Sequence, residues 1–138
     1  MTASADQSKT KKTAVGTALE RSMLGSKKRL TVENALAALN REGAGYLKVL
    51  RHGSLHVEIY RPQGEDPQTA HTLDERYVVI SGAGAFICGE KKQPIEPGEV
   101  LFVPAGTEHK FAEFSDDFAT WVFFFGPEGG EHDSWLPH

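Results

Sequence analysis

The feature that most constrains the fold is a series of short runs rich in Val, Ile, Phe and Tyr that begins after Gly45. β-Branched and aromatic residues favour strands, and the Gly, Pro, Ser and Asp residues between the runs favour turns. No helical pattern lies between the runs, so they predict an antiparallel sandwich or barrel rather than a parallel α/β sheet. The runs are Tyr46–Leu50, Leu55–Tyr60, Arg76–Ile80, Ala85–Cys88, Val100–Val103, Lys110–Phe114 and Phe118–Phe125.

One short helix is predicted ahead of these strands. Thr31 can act as its N-cap, and Gly43 stands where a left-handed C-cap belongs. Between them Val32, Leu36 and Leu39 form a single apolar stripe. We expect this helix to pack on the outside of the β-domain.

The 138 residues suffice for one domain with a single core. We interpret the chain as a disordered basic tail (1–28), a helical segment (29–45), a β-barrel (46–126) and a C-terminal tail (127–138).

Charge and cysteine content limit the classes of partner. The net charge is −4, but residues 1–29 hold seven Lys and Arg against two acidic residues, so the remaining 109 residues carry −9. An acidic body argues against nucleic-acid binding, which needs a basic face. The single cysteine, Cys88, excludes an intramolecular disulfide and fits a reducing compartment. With neither a secretory signal nor an apolar run of about 18 residues, we predict a cytoplasmic protein that does not engage a membrane.

Two stretches carry candidate metal ligands. His71 and Glu75 lie just ahead of a β-branched run closed by Gly82, and His109 follows a Pro-Ala-Gly turn. A spacing of four also suits one face of a helix, but the sequence after Glu75 favours a strand. If the two stretches are neighbouring strands, two imidazoles and a carboxylate can converge on one ion.

These spacings resemble the two motifs of the cupin superfamily over roughly residues 46–125. The resemblance implies an all-β, single-domain cupin: an antiparallel β-barrel, or double-stranded jelly roll, with one short N-terminal helix. The first motif matches as His71, three residues, Glu75, six residues and Gly82. The second matches at Gly98, Pro104, Gly106 and His109.

Two positions depart from the family pattern. The first motif usually carries His-x-His, and its first His falls on Thr69; the last position of the second motif falls on Glu113 in place of Asn. The resemblance implies three His and one Glu as ligands, of which this chain keeps His71, Glu75 and His109. Such a set suits Fe(II), which we favour, and also Mn, Ni or Zn. Gln68 is a further candidate ligand if a bulge turns it inward, and losing one His could instead have emptied the site.

Other residues are candidates for catalysis or for the pocket wall. His56, Glu58 and Tyr60 alternate with Leu55, Val57 and Ile59, so one set faces the interior and the other does not. If the polar set faces inward, it lines the cavity and can supply a general base; otherwise the apolar set forms the core. Candidate wall residues are Thr69, Tyr77, Phe111, Glu113, Trp121 and Phe123, although core packing would also explain the aromatic ones.

The functional prediction is a metal-dependent cupin that acts on a small organic molecule. A dioxygenase-type reaction is the leading possibility, ahead of a metal-dependent lyase or isomerase. The alternative is a non-catalytic cupin that binds a small ligand. The run Phe118–Phe125 is apolar on both faces, so it is either a central strand or the face of a homodimer.

Overall fold

In a computed structural model that describes residues 29–132, the chain forms one helix and eight strands. The predicted tail 1–28 and residues 133–138 lie outside the described residues. The helix is α1 (Val32–Glu42), and the strands are β1 (Tyr46–His52), β2 (Leu55–Tyr60), β3 (Asp74–Ser81), β4 (Gly84–Cys88), β5 (Lys91–Ile95), β6 (Val100–Val103), β7 (His109–Ala112) and β8 (Ala119–Phe125).

The strands build two antiparallel sheets, which confirms the predicted jelly-roll class. The larger sheet has the order β1-β2-β8-β3-β6, and the smaller one has the order β5-β4-β7. Every neighbouring pair in both sheets is antiparallel. Strand order and chain order differ, so the functional side chains come from segments far apart in the sequence.

The main core lies between the two sheets. Tyr77 and Val79 of β3 are buried there with Phe111, Phe118 and Val122. Burial alternates along β3 as the sequence predicts. This alternation places Glu75 on the same inward face, at the end of the core where the strand begins.

Helix α1 covers part of the outer face of the larger sheet. Leu39 packs there in a second apolar cluster with Val57 and Ile59. The Thr31 hydroxyl accepts a hydrogen bond from the backbone N–H of Asn34, and Gly43 closes the helix with φ of 68°. This helix is too short to cross a membrane.

Strand β8 is central, between β2 and β3, and this position explains why its sequence is apolar on both faces. Val122 points into the core between the sheets, whereas Trp121 and Phe123 pack on the helix side.

Strand β5 has no counterpart among the runs identified from the sequence. It is polar, contains Pro94, and follows a turn at Gly89. Among the described strands it pairs only with β4, so it is an edge strand, where proline and charged side chains are tolerated.

Candidate metal centre

The structure brings His71, Glu75 and His109 together at one end of the sandwich. Glu75 is the second residue of β3, and His109 begins β7 in the opposite sheet. His71 lies in the loop before β3, where its carbonyl accepts a 2.7 Å hydrogen bond from the backbone N–H of Gly106. The turn of the second motif therefore fixes the backbone of a residue from the first.

The three side chains offer one donor atom each, and these atoms lie within 4.8 Å of one another. Nε2 of His109 is 3.0 Å from Oε1 of Glu75, and Nε2 of His71 is 3.7 Å from the same oxygen. The side chains of Glu75 and His109 are fully buried, whereas that of His71 is 33% exposed. Access to the centre is therefore from the His71 side.

Three buried atoms of this centre have no hydrogen-bond partner among residues 29–132. They are the two carboxylate oxygens of Glu75 and Nε2 of His109, which lie close to each other. An uncompensated buried carboxylate is costly, and metal coordination is one of the few ways to satisfy it. Two imidazoles and a carboxylate fit a divalent transition metal of the kind predicted.

The orientation of His109 also suits a ligand. Its Nδ1 lies 2.9 Å from the carbonyl oxygen of Thr107, an arrangement that places the proton on Nδ1 and leaves Nε2 free to coordinate. Burial lowers the pKa of His109, but the Glu75 carboxylate and the Thr107 carbonyl outweigh it, so the pKa is raised. Protons therefore compete with a cation for this nitrogen.

A cavity of 420 Å³, which we call the site cavity, opens beside His71 and Glu75. Glu58 and Tyr60 of β2 contribute polar groups to its wall, and Phe124 contributes an apolar face. The ring of Phe124 meets that of His71 edge to face, at 5.1 Å between centroids. The lining is thus part polar and part aromatic, as in many small-molecule sites.

Comparison with known proteins identifies the family. Residues 56–125, half of the chain, match the model of the cupin domain family. The chain belongs to the cupins.

Two kinds of relative accompany this match. An uncharacterised protein of Streptomyces coelicolor, SCO3923, is 38% identical over 85 residues, which are 60% of this chain and 81% of that protein. The solved structure of protein NMB1881 from Neisseria meningitidis aligns with a TM-score of 0.58 at 16% identity, over 72% of this chain and 100% of that one. A cupin-2 domain protein from Shewanella frigidimarina aligns with a TM-score of 0.57 at 16% identity, over 70% and 94% of the two chains. At these identities the structures support the fold alone.

Both alternatives for strand β2 of this cupin are realised. Val57 and Ile59 are core residues under the helix, while Glu58 and Tyr60 face the site cavity. One side of β2 can be polar because the helix gives the other side a core of its own. His56 is half-buried and does not line this cavity, and its pKa is lowered by burial and by Lys48 and Arg51 nearby.

Gln68 and Thr69 lie side by side near the centre but differ in their contacts. Oε1 of Gln68 is 3.4 Å from Nε2 of His71 and accepts a 2.9 Å hydrogen bond from the hydroxyl of Tyr77. Thr69 lines a separate cavity of 270 Å³ on the His109 side. Gln68 lines this cavity as well as the site cavity, and its amide oxygen contacts His71.

A buried aspartate that the sequence reasoning missed connects several of these groups. Asp66 is 8% exposed and accepts hydrogen bonds from Tyr60 and Gln68. Burial and the bond to Asp66 raise the pKa of the Tyr60 phenol, which keeps its hydrogen for that bond. No spacing signal marks a lone Asp in a loop.

The site cavity is not lined by three further residues that the sequence predicts for its wall. Trp121 and Phe123 point to the helix side of the larger sheet, and their neighbours Val122 and Phe124 line the site cavity instead. Glu113 follows the end of β7 with φ of 55°, which breaks the strand alternation. Its carboxylate is exposed and forms a 2.6 Å ion pair with Lys92.

Phe111 and Tyr77 are core residues rather than exposed walls. Their rings stack edge to face at 4.9 Å between centroids, and both are almost completely buried. Tyr77 nevertheless approaches the centre through its hydroxyl, which reaches Gln68.

Proposed function

We propose that this cupin is a metal-dependent enzyme that acts on a small organic molecule, with His71, Glu75 and His109 as ligands. The observation that supports this most directly is the pair of buried, unpartnered carboxylate oxygens of Glu75 facing two imidazoles. Fe(II) is the favoured ion, and a dioxygenase-type reaction with O₂ as co-substrate is the leading class. Three protein ligands leave coordination positions open, and the bound ion would supply activation of O₂ or polarisation of a substrate oxygen.

The site cavity indicates the charge of the substrate. None of its described lining residues is Lys or Arg, while Glu58 and Glu75 are acidic. An anionic substrate would find no cationic side chain in this wall apart from the ion itself. We therefore propose a neutral or cationic substrate with an apolar part that packs on Phe124. The single cysteine favours a reducing, cytoplasmic setting.

A lyase or isomerase reaction is the second candidate, and Tyr60 favours it. Tyr60 lines the cavity and its hydroxyl donates its one hydrogen to Asp66, so the hydroxyl oxygen can accept a hydrogen bond from a substrate hydroxyl without any redox chemistry. Oxygen dependence separates the two classes. Turnover of a panel of small neutral and cationic compounds should cease under strict anaerobiosis for a dioxygenase and continue for a lyase or isomerase.

Metal analysis tests the enzyme proposal against a non-catalytic binding protein. Protein purified without added metal should contain close to one transition-metal ion per chain, and His71→Ala or His109→Ala should remove it. His52→Ala is the matched control, because His52 is an exposed histidine of β1. If the wild-type protein is metal-free and its melting temperature does not change on metal addition, the protein is a non-catalytic binding protein.

A further inference from the structure

We propose that Gln68 is a fourth ligand of the metal centre and that Asp66 and Tyr77 are positioning residues that turn its amide oxygen towards the ion. This inference rests on the proposed metal site and deepens it. The family pattern places a histidine at residue 69, and in this chain the neighbouring glutamine would supply an oxygen donor in its place.

Asp66 decides which end of the Gln68 amide faces the centre. Oδ2 of Asp66 is 2.7 Å from Nε2 of Gln68 and also accepts a 2.8 Å bond from the backbone N–H of Phe111. An ionised carboxylate only accepts hydrogen bonds, so the Gln68 group beside it must be the NH₂. The amide oxygen consequently points the other way, towards His71.

Tyr77 occupies only one lone pair of that oxygen. Oε1 of Gln68 accepts one hydrogen bond from the Tyr77 hydroxyl at 2.9 Å, and a carbonyl oxygen has two lone pairs. The other lone pair faces Nε2 of His71 at 3.4 Å, where it accepts a hydrogen bond if that nitrogen is protonated and is open to an ion if it is not. The Tyr77 bond and the Asp66 bond hold the amide from both ends, so its orientation is fixed before any ion binds.

The distance between the Gln68 amide oxygen and Nε2 of His71 also suits two ligands of one ion. Two atoms that coordinate one ion at about 2.1 Å lie roughly 3.0 to 3.4 Å apart in octahedral or tetrahedral geometry. Oε1 of Gln68 is 3.4 Å from Nε2 of His71, comparable with the 3.0 Å between His109 and Glu75. Gln68 thus approaches His71 as closely as ligands of a shared ion do.

A turn at Asp66 brings residue 68 to the metal centre. Oδ1 of Asp66 accepts a hydrogen bond from the backbone N–H of Gln68 at 3.2 Å, the pattern of an Asx turn across Pro67. This turn supplies the inward deviation that residue 68 needs to act as a ligand. Thr69 then falls beside the separate cavity on the His109 side.

The test is a titration of chelator-treated protein with Co(II), whose visible absorption reports coordination number as well as affinity. We expect Gln68→Leu to raise the Co(II) dissociation constant at least tenfold and to shift the spectrum towards a lower coordination number. Gln63→Leu is the matched control, since Gln63 is exposed on the same loop, and it should leave both unchanged.

Tyr77→Phe tests the positioning role in a variant that keeps the buried ring. It should weaken Co(II) binding several-fold and alter the spectrum in the same sense as Gln68→Leu. Asp66→Asn should do the same more strongly, because losing an outer partner of a ligand commonly costs 10- to 100-fold in metal affinity. If Asp66→Asn does not fold, the Tyr77→Phe spectrum decides.

The outcomes separate this inference from the proposed function. If the wild type binds Co(II) tightly, and Gln68→Leu matches it in affinity and spectrum, Gln68 is not a ligand and only this inference fails. If Gln68→Leu changes the spectrum but Tyr77→Phe does not, the positioning role is wrong. If the wild type binds no Co(II) at all, the metal-dependent function fails with it.

Discussion

At the residue scale, burial of the Glu75 carboxylate is unfavourable for stability but suits a metal ligand. This carboxylate is completely buried, and neither oxygen has a hydrogen-bond partner among the described residues. The nearest charged partner would be a protonated His109 at 3.0 Å, and without that proton or a bound ion the buried carboxylate destabilises the folded state. An ion bound between Glu75 and the two histidines would convert this cost into binding free energy.

Replacing Glu75 by Gln should therefore have opposite effects on two quantities. We expect the free energy of unfolding of the metal-free protein to rise by about 1 kcal/mol, because a neutral amide costs less to bury than a carboxylate. The increase in melting temperature on adding Mn(II) or Co(II) should disappear. Urea unfolding with a chelator and thermal unfolding with metal measure the two.

Glu113→Gln is the control for this prediction, since the Glu113 carboxylate is exposed and paired with Lys92. It should change neither quantity measurably. A Glu75→Gln protein that is less stable than the wild type without metal would mean that protein contacts, and not an ion, hold the carboxylate.

The sequence predicts some of these residues and not others, for physical reasons. His71, Glu75 and His109 can be found because short turns fix where strand residues meet. Asp66 cannot, because its role depends on partners from three separate segments. Alternation along β8 separates the two faces but does not say which of them lines the site cavity, and the structure puts Trp121 on the helix side.

At the scale of elements, the turns between strands set the register that the centre needs. Gly82 follows β3 with φ of 85°, and Gly98 precedes β6 with φ of 92°. Both match motif positions and both have backbone that disfavours a side chain. Their surroundings differ: a Cβ on Gly82 would lie 2.5 Å from Cα of Phe118, whereas a Cβ on Gly98 would have nothing within 4 Å.

The two glycines should therefore respond unequally to the same substitution. We expect Gly98→Ala to lower the free energy of unfolding by about 1–2 kcal/mol, the cost of a left-handed alanine. Gly82→Ala adds a clash with the backbone of a buried residue and should cost about 3–5 kcal/mol. Urea unfolding of both variants provides the comparison, and equal losses would contradict the close approach at Gly82.

The sequence predicts best those helices and strands that carry an apolar pattern. The helix and its two caps follow from the sequence because capping chemistry is local. The sequence does not predict strand β5, because an edge strand needs no apolar face. The first four residues of β5 are exposed, and only Ile95 is buried.

At the scale of the molecule, the outer face of the larger sheet is covered unevenly. Val57 and Ile59, under the helix, are 3% and 0% exposed, whereas Val100 and Phe102 on the edge strand β6 are 60% and 50% exposed. Arg76 of β3 is exposed between β6 and β8 on this face.

The homodimer predicted from the apolar strand β8 stays a prediction, and this open half of the face is where we expect the second copy. An exposed edge strand with large apolar side chains is a common site of self-association. Light scattering at high protein concentration should give the dimer mass, and Phe102→Lys should give the monomer mass with an unchanged melting temperature. A wild-type monomer would remove the prediction.

The helix-side cluster and the core between the sheets should also contribute differently to the metal centre. Val57 belongs to the first, and Val103 belongs to the second and pairs with Glu75 across the strands. Both valines are almost fully buried, so replacing either by Ala should cost about 1–3 kcal/mol of unfolding free energy.

Only Val103→Ala should also raise the dissociation constant for Co(II), by several-fold, because the space it leaves lets the Glu75 carboxylate relax away from the two imidazoles. Denaturant unfolding together with Co(II) titration of both variants separates the two effects. If Val57→Ala weakens Co(II) binding as much as Val103→Ala does, the larger sheet transmits strain from one face to the other, and the centre depends on the packing of the helix as well.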